Sequence, residues 1–219
     1  MLDIDALHLS IALGPLAVYF LLLGFINLST RPFVTTGARD VGALGLAISG
    51  LIVAGPMELF LPEAATNRFG GYVWLLLLAF YGLCLTLIVL TLRPRLVIYN
   101  VNSDQLRAVL AEVVAELDSE ARWAGDSLVL PKLDVQLHVE LWPAVHNVQL
   151  VAAGPRQNFV SWKRLEMALA KVLHQTAASP NPHGFGMLAL GVVLIGLLTY
   201  CMISDPTTVE QGLAEMLRY

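Results

Sequence analysis

The residues of this chain that could do chemistry occur in two places, a polar row on one strand and a carboxylate inside an apolar run. Residues 133–141 read LDVQLHVEL, with an apolar residue at every second position. This alternation predicts a half-buried strand whose open face carries Asp134, Gln136, His138 and Glu140. Carboxylates and an imidazole on one face could ligate a metal ion or exchange protons. A solvated polar face is the simplest interpretation, and a partner-binding face ranks next, ahead of a metal or catalytic site.

The second candidate is Glu58, which stands in the apolar run GPMELFLP at 55–62 between Pro56 and Pro62. A carboxylate deep in a lipid-facing helix is costly and is generally functional. We place Glu58 instead about 5 Å below the outer end of its helix, at 1.5 Å per residue. There it can reach headgroup water or Arg68. A helix-boundary position is our preferred interpretation, and a functional or inter-subunit carboxylate is the alternative.

The apolar residues that surround these candidates form long blocks. Charged residues make up 14% of the chain, against about 25% in ordinary soluble domains, which favours a membrane protein. A helix needs about 20 apolar residues to cross a bilayer. We predict transmembrane helices at about 6–28, 41–61, 71–92 and 184–204. Residues 205–219 have the pattern of an amphipathic tail on the outer side.

The arginines near these runs predict the orientation of the chain. They are concentrated in the first connection and after the third run, at Arg31, Arg39, Arg93 and Arg95. The second connection holds only Arg68. Because cytoplasmic loops are enriched in lysine and arginine, we predict both termini outside and residues 93–183 in the cytoplasm. The expected location is the plasma (cytoplasmic) membrane, crossed several times.

The predicted second helix contains small residues at a spacing that allows helices to approach closely in lipid. The candidate packing interface consists of Gly45, Ser49, Gly50 and Ala54. Packing within one protomer is our preferred interpretation of this interface, and contact between subunits is the alternative.

The segment 93–183 has the periodicities of a compact domain. Strands are predicted at 96–101, 127–131, 133–141 and 147–153, with helices at 103–119 and 160–175. The order is β-α-β-β-β-α, typical of a two-layer α+β arrangement. The fold class is therefore an α-helical membrane protein with four transmembrane helices and a small cytoplasmic α+β domain. Residues 179–184, SPNPHG, read as a linker to the fourth helix.

Motifs for catalysis and cofactors do not occur in the sequence. It contains no P-loop, nucleophile elbow, HExxH or CxxC motif, so we expect no catalytic residue, cofactor or metal. Cys84 and Cys201 are interpreted as packing residues of two different helices. Residues 93–183 hold nine Lys/Arg and nine Asp/Glu. Because that balance lacks the basic excess of a nucleic-acid binder, no nucleic-acid partner is expected.

These patterns favour a non-enzymatic scaffold or accessory subunit of a membrane protein complex. The expected partners are the lipid bilayer and other membrane subunits, or further copies of the chain in a homo-oligomer. One alternative is an oligomeric transporter, channel or membrane sensor that couples the helix bundle to the cytoplasmic domain. A second is a membrane-bound enzyme with a site at the outer boundary, built from Glu58, Glu63 and His8.

Overall fold

The computed structural model describes residues 6–57, 72–142, 147–155, 157–204, 206–207 and 209–210, with 56 and 57 described by their backbone only. The chain divides into two compact units. The helical unit comprises Met1–Leu22, Gly42–Leu90 and Met187–Tyr219, and the sheet unit comprises Leu23–Val41 and Thr91–Gly186.

The elements follow one another in an order that interleaves helices and strands. They are α1 (Ala6–Leu28), β1 (Phe33–Thr36), α2 (Gly37–Ile52) with a π-helical turn (Val53–Met57), α3 (Tyr72–Thr91), β2 (Arg95–Tyr99), α4 (Ser103–Leu117), β3 (Arg122–Ala124), β4 (Ser127–Leu130), β5 (Val135–Trp142), β6 (Asn147–Ala152), α5 (Phe159–Gln175) and α6 (His183–Ser204).

Four of these helices, α1, α2 with part of its π-helical turn, α3 and α6, are long and apolar enough to cross a membrane. The bounds of α1, α3 and α6 lie within about a residue of the predicted runs. The second helix was predicted to begin at about 41, whereas α2 begins at Gly37. The apolar run marks only the part of a helix that suits lipid, and Arg39 and Asp40 extend this helix beyond it.

The α-helical part of α2 ends at Ile52, and residues 58–61 of the predicted run lie outside the described residues. A π-helical turn over Val53–Met57 follows Ile52 and contains Pro56. Proline has no N–H group to donate to the preceding helical turn, and a π-helical turn is one way in which a helix accommodates such a residue.

Helix α3 buries very little of its apolar surface. Of its residues Tyr72–Thr91, all of which the structure describes, only Val73 is buried. Large side chains such as Phe80, Leu83 and Leu87 are exposed. Apolar surface of this extent is unfavourable in water by about 25 cal/mol per Å². An apolar medium or a partner must therefore cover α3.

The sheet unit contains a six-stranded antiparallel sheet with the strand order β1-β2-β6-β5-β4-β3. The predicted order β-α-β-β-β-α was incomplete, because it lacked β1 and β3. Strand β1 has only four residues and pairs with β2, from Phe33 opposite Tyr99 to Thr36 opposite Leu96. Strand β3 has three exposed residues. Neither is long enough to show the alternation by which a strand is recognised in a sequence.

Helices α4 and α5 supply the second layer. Their buried stripes pack with one face of the sheet into a single apolar core that includes Ile98, Leu110, Leu137 and Leu165. At the start of α5, the Asn158 side chain accepts hydrogen bonds from the backbone N–H groups of the helix's first turn, which would otherwise have no partner within the helix. The other face of the sheet, called the outer face below, carries the polar row on β5.

Candidate partner-binding face of the sheet

Strand β5 presents three of the four predicted polar residues. Gln136, His138 and Glu140 are exposed, and they alternate with the buried residues Val135, Leu137 and Val139. The alternation arises because successive side chains of a strand point to opposite faces of the sheet.

Asp134 does not lie on this strand, contrary to the predicted span 133–141. It occupies the turn before β5 with a φ of 50°, in the left-handed region that aspartate tolerates better than most residues. Its N–H donates to the Pro131 carbonyl at 3.3 Å, and its own carbonyl accepts from the Asn158 N–H at 3.1 Å. The backbone of Asp134 therefore joins the turn to the start of α5 instead of continuing the polar row.

The far end of β5 also departs from the simple alternation. Leu141 was expected to be buried but is 37% exposed, and the adjacent Trp142 is 56% exposed. Both line a cavity of about 250 Å³ together with Val148 and the first residues of α4, including Ser103. The positions of β5 that are buried therefore end at Val139.

Neighbouring strands place further polar groups beside the row. The Ser127 Oγ and His138 Nδ1 atoms lie 3.1 Å apart in a cross-strand pair. Glu140 of β5 is paired with Gln149 of the adjacent strand β6, and the Arg95 guanidinium donates to the Gln149 side chain at 3.5 Å. The outer face therefore offers donors and acceptors side by side over β6, β5 and β4, with Arg95 of β2 at their border.

The chemistry open to this face is hydrogen bonding. A serine beside an imidazole is the first part of a nucleophilic site, but His138 is exposed and Ser127 is half-buried on the open surface of the sheet. Within the described ranges, no three His, Cys, Asp or Glu side chains come together to hold a metal ion. The arrangement suits recognition of a polar partner surface.

The β1–β2 side of the outer face is already covered. The Tyr99 hydroxyl donates to an Asp40 carboxylate oxygen at 2.5 Å, and Thr35 and Val97 are buried. The first turn of α2 thus lies on this side of the sheet. Gly37 lets the Arg95 side chain pack against this turn, because a β-carbon at position 37 would lie 2.1 Å from Cγ of Arg95 and the arginine would have to shift. In the described part of the chain, the polar residues of β5 and all three residues of β3 are exposed, so the side of the sheet away from β1 and β2 remains accessible.

The residues of the candidate interface on α2 contact two different helices of the helical unit. Gly45 packs against α3: its carbonyl accepts from the Tyr81 hydroxyl at 2.7 Å, and a β-carbon there would lie 2.4 Å from Leu85 Cδ1. Gly50 packs against α1, because a β-carbon there would lie 1.9 Å from the Ile11 carbonyl oxygen. Both glycines therefore make close helix contacts within one protomer.

The other two residues of the candidate interface are Ser49 and Ala54. The Ser49 hydroxyl donates to the Leu46 carbonyl of its own helix at 2.8 Å, and Ala54 is half-buried in the π-helical turn. The candidate carboxylate Glu58 lies outside the described residues, as do Glu63 and most of the predicted tail.

A buried cluster of asparagines was not anticipated from the sequence. Asn27, Asn100 and Asn181 are each at most 2% exposed. The Asn181 amide donates to Asn27 Oδ1 at 3.1 Å, and the Asn100 amide donates to the Ser29 carbonyl at 2.5 Å. The segment 179–184, predicted as a linker, is therefore fastened to the end of α1. Asn181 between two prolines resembles an ordinary loop residue, and Asn27 and Asn100 stand singly near the ends of α1 and β2, so composition alone gave no signal for the cluster.

Comparison with known proteins assigns no family to this geometry, since no family model, curated protein or solved structure matches the chain.

Proposed function

We propose that this chain is a multi-pass protein of the cytoplasmic membrane that acts as a non-enzymatic scaffold or accessory subunit of a membrane complex. The observation that carries the proposal is the exposure of α3, whose apolar side chains other than Val73 remain at least partly open. Lipid is the medium that accepts such a surface on a helix of this length. The arginines near α1, α2 and α3 support the proposed orientation, with the sheet unit in the cytoplasm.

The accessible side of the outer face supports the second part of the proposal. Gln136, His138 and Glu140 form a polar row that ends at the exposed Trp142. Aromatic anchors beside polar groups are characteristic of protein interfaces. We assign the binding of a partner subunit to this row, with Trp142 as its anchor.

Membrane location is tested by alkaline extraction of membranes from cells that express the chain at its native level. An integral protein remains with the lipid pellet, whereas release into the supernatant would refute the proposed location.

Complex formation is tested by measuring the mass of the particle after purification in a mild detergent. The chain alone has a mass of 23.8 kDa, and we expect a larger protein assembly after subtraction of detergent. The test variants are Glu140→Lys and Trp142→Ala, and the matched control is Glu116→Lys on the exposed surface of α4. The test variants should release the partner and the control should keep it. A wild-type monomer, or equal effects of all three variants, would contradict the proposal.

The oligomeric transporter, channel or sensor remains the alternative function, and its test is solute flux into liposomes that contain the purified chain. Flux well above that of empty vesicles would favour it over an accessory role. The outer-boundary enzyme depends on Glu58 and Glu63, which lie outside the described residues.

A further inference from the structure

Helix α5 carries a concentration of positive charge on its exposed side. Its exposed basic residues are Lys163, Arg164 and Lys171. None of the three takes part in an ion pair within the described part of the chain. The carboxylate of the same helix, Glu166, already accepts a hydrogen bond from the Arg39 guanidinium at 2.9 Å. The exposed side of α5 is therefore positively charged.

Helix α4 carries the opposite charge. Its exposed acidic residues are Asp104, Glu112 and Glu116. The basic residue of this helix, Arg107, is paired with Asp126. The equal numbers of acidic and basic residues in 93–183 therefore conceal a separation of charge between the two helices.

The two helices lie toward opposite edges of the sheet. Helix α5 packs against β1, the edge strand at one side. The Arg107 side chain of α4 reaches Asp126, which lies in the turn between β3 and β4 at the other side. The positive helix is thus the one beside the β1 edge.

The β1 edge is joined directly to two of the four apolar helices. Residues 29–32 separate the end of α1 from β1, and α2 begins immediately after Thr36. Four residues reach at most about 14 Å. In that connection, the Arg31 Nη1 atom lies 3.1 Å from the Nε2 atom of His174, which is in the last turn of α5. If α1 and α2 cross a bilayer, the connection between them lies at its surface, and α5 lies beside that connection.

The exposed face of α5 has the composition of a helix that rests on a charged lipid surface. Val160 and Met167 are 62% and 56% exposed, and they share the helix face with Lys163, Arg164 and Lys171. The spacing of three or four residues keeps all five on one side of the helix. Apolar residues among lysine and arginine suit the headgroup region, and the cytoplasmic leaflet attracts basic residues because its anionic lipids give it a negative surface potential.

We propose that this exposed face of α5 binds the anionic phospholipid headgroups of the bilayer that the chain crosses. Lys163, Arg164 and Lys171 pair with the headgroup phosphates, while Val160 and Met167 enter the level of the glycerol backbone. This inference depends on the membrane location in the proposed function, and it is independent of the partner assigned to β5.

The test places an environment-sensitive fluorophore on Met167→Cys in the full chain, with Cys84→Ala and Cys201→Ala removing the native thiols. The labelled protein is reconstituted into vesicles of zwitterionic lipid alone and into vesicles with about a third of anionic lipid. A second protein labelled at Ala115→Cys on the exposed side of α4 is the matched control.

Emission from position 167 should shift to shorter wavelength in the anionic vesicles, and emission from position 115 should not change. Neutralising Lys163, Arg164 and Lys171 to glutamine should abolish the shift. Each neutralisation should lower the ratio of docked to undocked α5 about five-fold, since each basic residue contributes about 1 kcal/mol at such a surface. High salt should weaken the shift in the same way.

Identical emission from position 167 in the two lipid mixtures would overturn the inference. A wavelength shift that persists in the triple glutamine variant would also overturn it. So would a shift that occurs only when a protein partner is present. Alkaline extraction of the same vesicles separates this failure from failure of the proposed function. A chain retained in the bilayer without the shift refutes lipid binding by α5 alone, whereas a chain that is released refutes the membrane location.

Discussion

Replacing Asn181 by alanine tests whether the buried asparagine cluster fastens the segment before α6 to the end of α1. The Asn181 side chain is 0% exposed. It donates to Asn27 Oδ1 at 3.1 Å, and its own oxygen accepts from the His183 N–H at 3.1 Å. The alanine variant loses at least these two hydrogen bonds but keeps the backbone bond from the Asn181 N–H to the Asn27 carbonyl.

The expected cost follows from these contacts. A net contribution of about 1 kcal/mol for each hydrogen bond gives a loss of about 2 kcal/mol. For a chain of this size, that loss lowers the melting temperature by roughly 4–8 °C. The measurement is thermal unfolding of the detergent-purified protein, followed by tryptophan fluorescence, to which the buried Trp162 of the sheet unit contributes.

The matched control is Asn102→Ala, which makes the same chemical change at an exposed position. Asn102 precedes α4, and its side chain makes no capping hydrogen bond. We expect this variant to unfold within about 1 °C of the wild type, since surface changes away from specific contacts cost little. Equal melting temperatures for the two alanine variants would refute the reasoning about the cluster.

Two further predictions concern close packing and helix capping. Gly50→Ala places a β-carbon 1.9 Å from the Ile11 carbonyl oxygen and should destabilise the fold by about 1–3 kcal/mol or more, whereas Gly42→Ala meets nothing within 4 Å. Equal thermal stability of the two glycine variants would contradict the packing of α2 on α1. Asn158→Ala removes the acceptor for two N–H groups at the start of α5 and should cost about 1 kcal/mol in chemical denaturation. Asn158→Asp should retain most of that stability, and an alanine variant as stable as the wild type would show that the cap contributes nothing.

Elements marked by a long apolar run or by periodic apolar residues could be predicted from the sequence. The apolar runs located α1, α3 and α6 closely, since length and composition are local properties of a chain. Periodic apolar residues likewise located α4, α5 and the middle of β5. The polar residues Gln136, His138 and Glu140 were placed on the outer face for the same reason. Asp134 was misplaced, because alternation does not reveal where a strand gives way to a left-handed turn residue.

The elements that the sequence did not reveal depend on distant partners. Strand β1 exists because Phe33–Thr36 pairs with Leu96–Tyr99, far along the chain. The cover over the β1–β2 side of the outer face depends on Asp40 meeting Tyr99, and the asparagine cluster depends on Asn27 meeting Asn181. No local pattern encodes such pairs, since each residue alone resembles an ordinary loop or helix-end residue.

The sequence by itself therefore determined that the chain has four helices suited to a bilayer and an α+β segment between the third and the fourth, because apolar length and periodicity are written locally. Tertiary structure alone decided which polar residues share the accessible face and which edge of the sheet continues into α1 and α2. It also decided that the basic helix α5, and not the acidic α4, packs against that edge. The physical reason is that strand pairing and helix packing join residues that are distant in the chain. The surface on which a charged side chain lies is therefore set only once those contacts have formed.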